Sequence, residues 1–254
     1  MTSLRLACEA PNHPEIFRSV QGEGPNMGRL RTFVRLSGCN LRCTWCDTAY
    51  TWNWIGTPWP HVLDRDDAPY KFDPAEETLT LPVDAVADRI LSLPAEGVII
   101  TGGEPLIQSE GLVALIARLR RQQPALAIEI ETNGTIAPTP ALAEAVDLFV
   151  VSPKLGHSGN KPRAALRAPV LAAFARLDKA IFKFVAQSAG DVTEVRALAQ
   201  RFGIAGSRVY IMPEGTSGAV VARIGASLID SVIEAGFNYS DRLHIHLFGD
   251  TRGT

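Results

Sequence analysis

Seven short runs rich in β-branched or aromatic residues punctuate the chain, with stretches of helical period between them. "RTFVRL" (31–36), "GVIIT" (97–101), "LAIEIET" (126–132), "DLFVVS" (147–152), "KAIFKFV" (179–185), "SRVYIM" (207–212) and "RLHIHLF" (242–248) are predicted strands. "VDAVADRILSL", "EGLVALIARLRRQQ", "ALAEAV", "RAALRAPVLAAFARL", "DVTEVRALAQRF" and "GAVVARIGASLIDSVIEAG" are predicted helices, the fifth opening on Asp191 as a candidate cap. This alternation constrains the fold more than any other feature. Strands that alternate with helices pair in parallel through crossovers, so an α/β sheet of βαβ units is expected. No unit of about 20–50 residues repeats as sequence, which argues against a solenoid.

With 254 residues, 25 basic against 27 acidic side chains and 46% apolar residues, there is chain enough for one large domain or two small ones. The near-neutral balance supplies no basic stripe for nucleic acid. No apolar run approaches the ~18–20 residues of a membrane span. The opening "MTSLRLACEAPNHPEIF" lacks the apolar core and cleavage site of a secretion signal, so a cytoplasmic location is expected. In that reducing setting, clustered cysteines bind metal or do chemistry more often than they form disulfides. Residues 50–80 break the rhythm, with three of the four tryptophans, four prolines and no clear period. They read as a surface insertion or as a lid over a pocket.

The polar oddities sit at the downstream ends of the predicted strands. Thr101-Gly102-Gly103-Glu104-Pro105 follows the second, Glu131-Thr132-Asn133-Gly134 ends the third, Ser152-Pro153-Lys154 the fourth, and Met212-Pro213-Glu214-Gly215 the sixth. Gly-Gly and Asn-Gly singly are ordinary turn residues. Together, at the end of a (βα) sheet where active sites form, they favour a site.

Cys39, Cys43 and Cys46 follow a C-x3-C-x2-C pattern after the first predicted strand, and Cys8 lies far upstream. A structural zinc site takes four ligands, usually as two separated pairs; Cys8 and His13 are available to complete one, though not at common spacing. Three thiolates also suit a [4Fe–4S] cluster with one iron left for another ligand. Soft sulfur ligands serve zinc and iron–sulfur alike, so the ligand type leaves both open.

The cysteine pattern together with "GGEP" resembles the radical S-adenosylmethionine superfamily. The stretch "EIFRSVQGEGPNMGRLRTFVRLSGCNLRCTWCDTAY" (15–50), with "TGGEP", "ETNG", "SPK" and "RLHIHLFG", resembles its 7-carboxy-7-deazaguanine synthase family, of queuosine and preQ0 biosynthesis. The resemblance is weakest over 50–80. It implies a single domain, 1–254, with an insertion at about 50–80. The implied fold is a partial (βα)6-type barrel with a C-terminal strand extending it.

The same resemblance implies a site. Cys39, Cys43 and Cys46 would hold the [4Fe–4S] cluster, and Thr48 would help coordinate Mg2+. Val20, Gln21, Gly22 and Glu23 would face the edge of a pterin, Arg35 would pair its carboxylate, and Thr101 would touch it. Gly103 and Glu104, Ser152, Pro153 and Lys154, and Met212, Pro213, Glu214 and Gly215 would contact S-adenosylmethionine. Thr254 would offer a terminal carboxylate to substrate, although the tail "FGDTRGT" departs from the family pattern. Read without the resemblance, Arg35 is equally a solvent-facing strand residue and Glu23 a turn residue. His244 and His246 share one face of the last predicted strand, one toward substrate and the other packing, and Cys8 is a spectator.

The reaction implied is conversion of 6-carboxy-5,6,7,8-tetrahydropterin to 7-carboxy-7-deazaguanine and ammonia, by hydrogen abstraction and ring contraction. S-adenosylmethionine would act catalytically. The implied partners are the small-molecule pterin, a flavodoxin- or ferredoxin-like electron donor and a second copy in a homodimer; neither nucleic acid nor membrane is expected. Two rivals are a glycyl-radical-enzyme activase of the same superfamily and a non-enzymatic zinc-binding module.

Overall fold

The computed structural model describes residues 2–254. Its strands are Ser3–Ala10 (β1), His13–Pro14 (β2), Ile16–Val20 (β3), Leu30–Leu36 (β4), Thr78–Pro82 (β5), Gly97–Gly102 (β6), Ala127–Thr132 (β7), Leu148–Val151 (β8), Ala180–Ala186 (β9), Val209–Pro213 (β10) and Asn238–Tyr239 (β11). Its helices are Pro74–Glu77 (α1), Val83–Leu91 (α2), Ser109–Gln122 (α3), Pro140–Ala145 (α4), Pro162–Ala165 (α5), Ala168–Ala175 (α6), Ala189–Phe202 (α7), Gly218–Ala235 (α8) and Leu243–Phe248 (α9).

β4, β6, β7, β8, β9 and β10 stand side by side in chain order, all parallel, with β11 on the outer edge. Sequential parallel strands joined by helices are the order of a (βα) barrel, here six full strands. The hydrogen-bonded sheet runs from β11 at one edge to β1 and β2 at the other, so it is an open partial barrel. The expected α/β architecture is the one found.

The two faces of these strands differ. Val98, Ile100, Ile128, Ile130, Phe149, Val151, Phe182 and Phe184 belong to the main core under the helices, joined by Leu112, Leu115, Leu119 and Phe174 from the helices themselves. The alternate positions face inward. Phe33 and Ile99, stacked with Phe17 of β3 (ring centroids of the two phenylalanines 5.1 Å apart), make a small apolar floor there. One step nearer the strand ends the inward positions turn polar: Arg35, Thr101, Glu131 and Lys183.

Several expectations need correction. "RLHIHLF" is not a strand. Residues 243–248 are helical, and the C-terminal strand of the sheet is the two-residue β11. The apolar alternation there is not used for pairing. Only Ile245 is buried, while Leu247 and Phe248 are exposed. The chain at 243 has already left the sheet edge and is hung over the strand ends by Leu243 N–H donating to Gly22 O at 2.9 Å. On a helix, residues two apart point in nearly opposite directions, so His244 and His246 do not share a face. The predicted helix over 163–177 is two, α5 and α6, with Pro169 in the first turn of the second. Asp191 caps as expected in chemistry, but from inside the helix: it accepts the backbone N–H of Ser188 at 3.0 Å and of Gln187 at 2.8 Å.

The N-terminal region is more regular than its sequence reads. β3 pairs antiparallel with β4, and β5 pairs antiparallel with β1. The tail of the 50–80 segment is therefore strand from Thr78. Its earlier part folds back on itself through a bridge between Trp54 and Phe72.

Candidate active site

The cysteine loop leaves β4 at Ser37 and crosses the C-terminal ends of the parallel strands. It is bonded there to the turn after β6. Glu104 N–H donates to Gly38 O at 2.8 Å, and Gly103 N–H to Leu36 O at 3.1 Å. A Cβ at Gly103 would stand 2.3 Å from Gly38 O, so the second glycine is required by the approach of two backbones. Gly102, at φ +139°, sits where side chains are strained.

Glu104 is fully buried. Its Oε1 accepts from Leu106 N–H at 3.0 Å and from Thr132 Oγ1 at 2.8 Å, and its Oε2 from Asn133 N–H at 2.7 Å. It ties the β6 and β7 turns together beneath the cavity and lies outside the cavity wall, as do Pro153, Pro213 and Gly215. The remaining residues selected from sequence all line one cavity over the strand ends: Val20 to Glu23, Arg35, the three cysteines, Thr48, Thr101, Gly103, Ser152, Lys154, Met212, Glu214 and Thr254. Cys8, buried in β1, and His13, exposed, do not reach it.

Each cysteine sulfur has a side-chain N–H donor. Trp52 Nε1 donates to Cys46 Sγ at 3.3 Å, Asn160 Nδ2 to Cys43 Sγ at 3.2 Å, and Asn133 Nδ2 to Cys39 Sγ at 3.8 Å. Leu41 N–H adds a contact to Cys39 Sγ at 3.4 Å. Burial pushes the Cys39 thiol up to about 12 and Cys43 up to about 11, and raises Cys46 as well. The thiolate form thus needs a metal to draw the protons off. Among the described residues no three Cys, His, Asp or Glu side chains meet closely enough to hold one metal ion. Three soft sulfur ligands around one opening fit an iron–sulfur cluster with one position left for another ligand.

Below the cysteines the cavity wall is a buried charge network. Arg35 Nε pairs with Glu15 Oε1 at 2.7 Å, and Tyr50 OH donates to Glu15 Oε2 at 2.9 Å. Burial works against the Arg35 charge, but Glu15 more than offsets it and holds the guanidinium ionised. No described residue hydrogen-bonds its Nη groups, which leaves them to the cavity. Opposite, Glu23 is gripped by Lys183 and by Arg242, whose Nε lies 3.2 Å from Glu23 Oε1. Burial would raise the Glu23 carboxyl; Lys183 and Arg242 overcome it and hold it well below the usual carboxylate range. Arg242 also pairs with Asp47 and donates to Gly215 O.

Glu131 accepts from Thr101 Oγ1 at 2.8 Å and Gln21 Nε2 at 3.3 Å, with Lys183 Nζ at 3.7 Å. Glu129, two residues deeper on β7, accepts from Gln21 Nε2 at 3.2 Å and Asn26 Nδ2 at 2.8 Å. Burial and then the neighbouring Glu131 push its carboxyl up to about 7. His244 reaches the cavity beside Glu23 (3.8 Å), its pKa lowered by burial, while His246 turns to Asp241 at 3.3 Å. Thr48 Oγ1 lies 3.5 Å from Cys46 Sγ, and Lys154 Nζ donates to Ser152 Oγ at 2.9 Å.

The sequence reading noted Glu131 only within a strand-end motif, without a role of its own, and passed over Lys183, Asp47, Arg242 and Trp52. A signal existed for two of them. "AIEIET" puts two carboxylates on one face of a buried parallel strand, and "AIFKFV" puts a lysine inside one; neither is tolerated there without polar surroundings.

Comparison with known proteins gives the family. A family model described as the radical SAM superfamily matches residues 33–170. Relatives named 7-carboxy-7-deazaguanine synthase include one from Pyrobaculum aerophilum, 38% identical over 94% of this chain and 95% of the relative. One from Hyperthermus butylicus is 35% identical over 91% and 90%. One from Rhodopirellula baltica is 32% identical over 94% and 87%. The crystal structure of QueE from Escherichia coli shares the fold, with a TM-score of 0.59 at 24% identity, over 92% of this chain and 94% of that one. On these matches the chain belongs to the radical SAM superfamily and, within it, to the family of 7-carboxy-7-deazaguanine synthases, and is an enzyme of that kind.

Proposed function

We propose that the enzyme converts 6-carboxy-5,6,7,8-tetrahydropterin to 7-carboxy-7-deazaguanine and ammonia. The observation that carries this reading is the pairing, in one cavity under the cysteine loop, of an arginine fork with buried carboxylate acceptors. Arg35 offers its unbonded Nη groups to a carboxylate, the bidentate geometry that a guanidinium favours. Glu131 and the Gln21–Glu23 stretch offer acceptors to the N–H-rich edge of a pterin.

Cys39, Cys43 and Cys46 would hold the [4Fe–4S] cluster, and Gly103, Ser152, Lys154, Met212 and Glu214, which line the same cavity, would contact S-adenosylmethionine. When bound, the cluster and S-adenosylmethionine supply the adenosyl radical that abstracts hydrogen. The chain's own part is positioning, which can supply several kcal/mol. Arg35 fixes the ring by its carboxylate, and Glu131 and Gln21 set its other edge. Lys183 and Arg242 keep Glu23 ionised and therefore an acceptor only. Thr48, at the rim beside Cys46, would give one hydroxyl to Mg2+, the rest of the shell coming from substrate oxygens and water. Thr254 lines the same rim.

A protein-backbone substrate, as for a glycyl-radical-enzyme activase, has no carboxylate for Arg35 and no use for the acceptor wall. A flavodoxin- or ferredoxin-like reductant and a homodimer belong to the proposal. No helix among the described residues is long and apolar enough to cross a membrane.

The test is anaerobic reconstitution with iron and sulfide, reduction, and incubation with S-adenosylmethionine, Mg2+ and the carboxytetrahydropterin. Products are followed by mass spectrometry. The deazaguanine is expected; 5′-deoxyadenosine with the pterin untouched would discard the substrate and keep the radical chemistry.

A further inference from the structure

Trp52 comes from the segment to which the sequence assigns no chemistry. It is nevertheless among the least exposed residues near the cysteines, at 2%, and lines the cavity. The reason lies in its surroundings. The Trp52 N–H donates to Ala49 O at 3.0 Å in a short turn that follows "CDT", and the guanidinium of Arg42 lies 5.3 Å from the indole centroid. Arg42 is in turn 5.6 Å from the ring of Trp59 and donates to Cys39 O and Leu41 O. The indole is thus packed between the cysteine loop and the insertion, with Nε1 aimed at Cys46 Sγ at 3.3 Å. Trp45 Nε1, by contrast, is satisfied by His157 Nδ1 at 3.1 Å.

We infer that the Trp52 indole N–H sets the redox poise of the cluster, by hydrogen-bonding the Cys46 thiolate and so raising the cluster's reduction potential. This rests on the reading of the three cysteines as cluster ligands. An indole N–H is a donor only, and a donor to a thiolate stabilises whichever state carries more negative charge on sulfur. Adding an electron increases that charge, so the hydrogen bond strengthens on reduction; hydrogen bonds to cluster sulfurs are a recognised lever on potential. The burial of the indole strengthens the effect, since a dry donor is electrostatically stronger than a wet one. Asn160 on Cys43 acts in the same sense from another loop. Trp52 differs from it in having no alternative partner: among the described residues its Nε1 is bonded to Cys46 alone.

The test is a redox titration of the reconstituted full-length protein followed by EPR of the reduced cluster. Three proteins are compared with the wild type: W52F, the chain with benzothienylalanine at position 52 (sulfur in place of the indole N–H, bicyclic shape kept), and W59F as a packing control. Loss of one charge-assisted donor should shift the midpoint to more negative potential by about threefold to tenfold in the reduction equilibrium, tenfold being about 59 mV for one electron. Both position-52 variants should shift, and W59F should not. An unshifted isostere would overturn the inference even if W52F shifts, because packing would then be the cause. In the unmodified protein, 15N-indole labelling should give a nitrogen coupling to the reduced cluster in pulsed EPR, and its absence would overturn the inference where W52F fails to load. A wild-type protein that gives no cubane signal would instead refute the cluster reading itself.

Discussion

Removing Arg35 tests the site only if its structural role is removed first. In R35M, Glu15 keeps a fully buried carboxylate with Tyr50 OH as its remaining partner. Stripping the partner from a buried ion pair costs about 3–5 kcal/mol. The Tyr50 bond and the option of protonating the acid bring the expectation to about 3 kcal/mol, or about 6–12 °C in Tm for a chain of this size. R35M alone would therefore lose activity for two mixed reasons. The double variant E15Q/R35M removes both charges, keeps an acceptor for Tyr50, and should return to within about 1 kcal/mol of the wild type. Its turnover should not return. Two charge-assisted bonds to a substrate carboxylate are worth about 3 kcal/mol together, about 100-fold in kcat/KM. Calorimetry gives the first quantity and product formation under anaerobic steady state the second. If the double variant regains activity along with stability, Arg35 is a structural residue and the substrate carboxylate is held elsewhere. If R35M is not destabilised, the premise of a buried pair is wrong.

Further outcomes are expected. Glu129 titrates higher in the folded chain than in the unfolded one, so the folded state binds the extra proton. Stability should fall as pH rises through about 7, by about 1–3 kcal/mol between pH 5 and 8, and E129Q should flatten that slope in urea unfolding. G103A must displace the cysteine loop or its own turn, and iron content after reconstitution should drop sharply while far-UV dichroism is kept. T48A should raise the Mg2+ concentration needed for half-maximal turnover by about tenfold; an unchanged Mg2+ dependence would sink that assignment. K183M leaves Glu23 and Glu131 short of a counter-charge, and the melting temperature should fall by several degrees, with partial recovery in K183M/E131Q.

The parallel strands were legible because each carries a run of β-branched or aromatic residues bounded by turn residues, a local signal. The motifs at their ends were legible as oddities against that background. What stayed hidden is non-local. β1 and β5 are defined by an antiparallel pairing far apart in sequence, β3 takes its register from β4 across a polar loop, and the last predicted strand has strand-like alternation but lies over the strand ends and not along a sheet edge. The charge network was hidden for the same reason: Glu23 meets Lys183 and Arg242 only after the barrel strands and the final helix have closed on the N-terminal segment. Arg242 lies in a stretch that reads as a strand, and nothing in its immediate neighbours indicates that Asp47 is its partner.

The buried carboxylate of Glu104 has a consequence for how such a chain can vary. It bonds the turn after β6 to the turn after β7, while the backbone beside it is bonded to the cysteine loop. Three motifs well separated in sequence therefore share one junction. Changes in one will be strongly epistatic with changes in the others, and a substitution harmless in one relative can be disabling in another whose junction is packed differently. Transplanting a single one of these loops between relatives should fail where transplanting all three together succeeds.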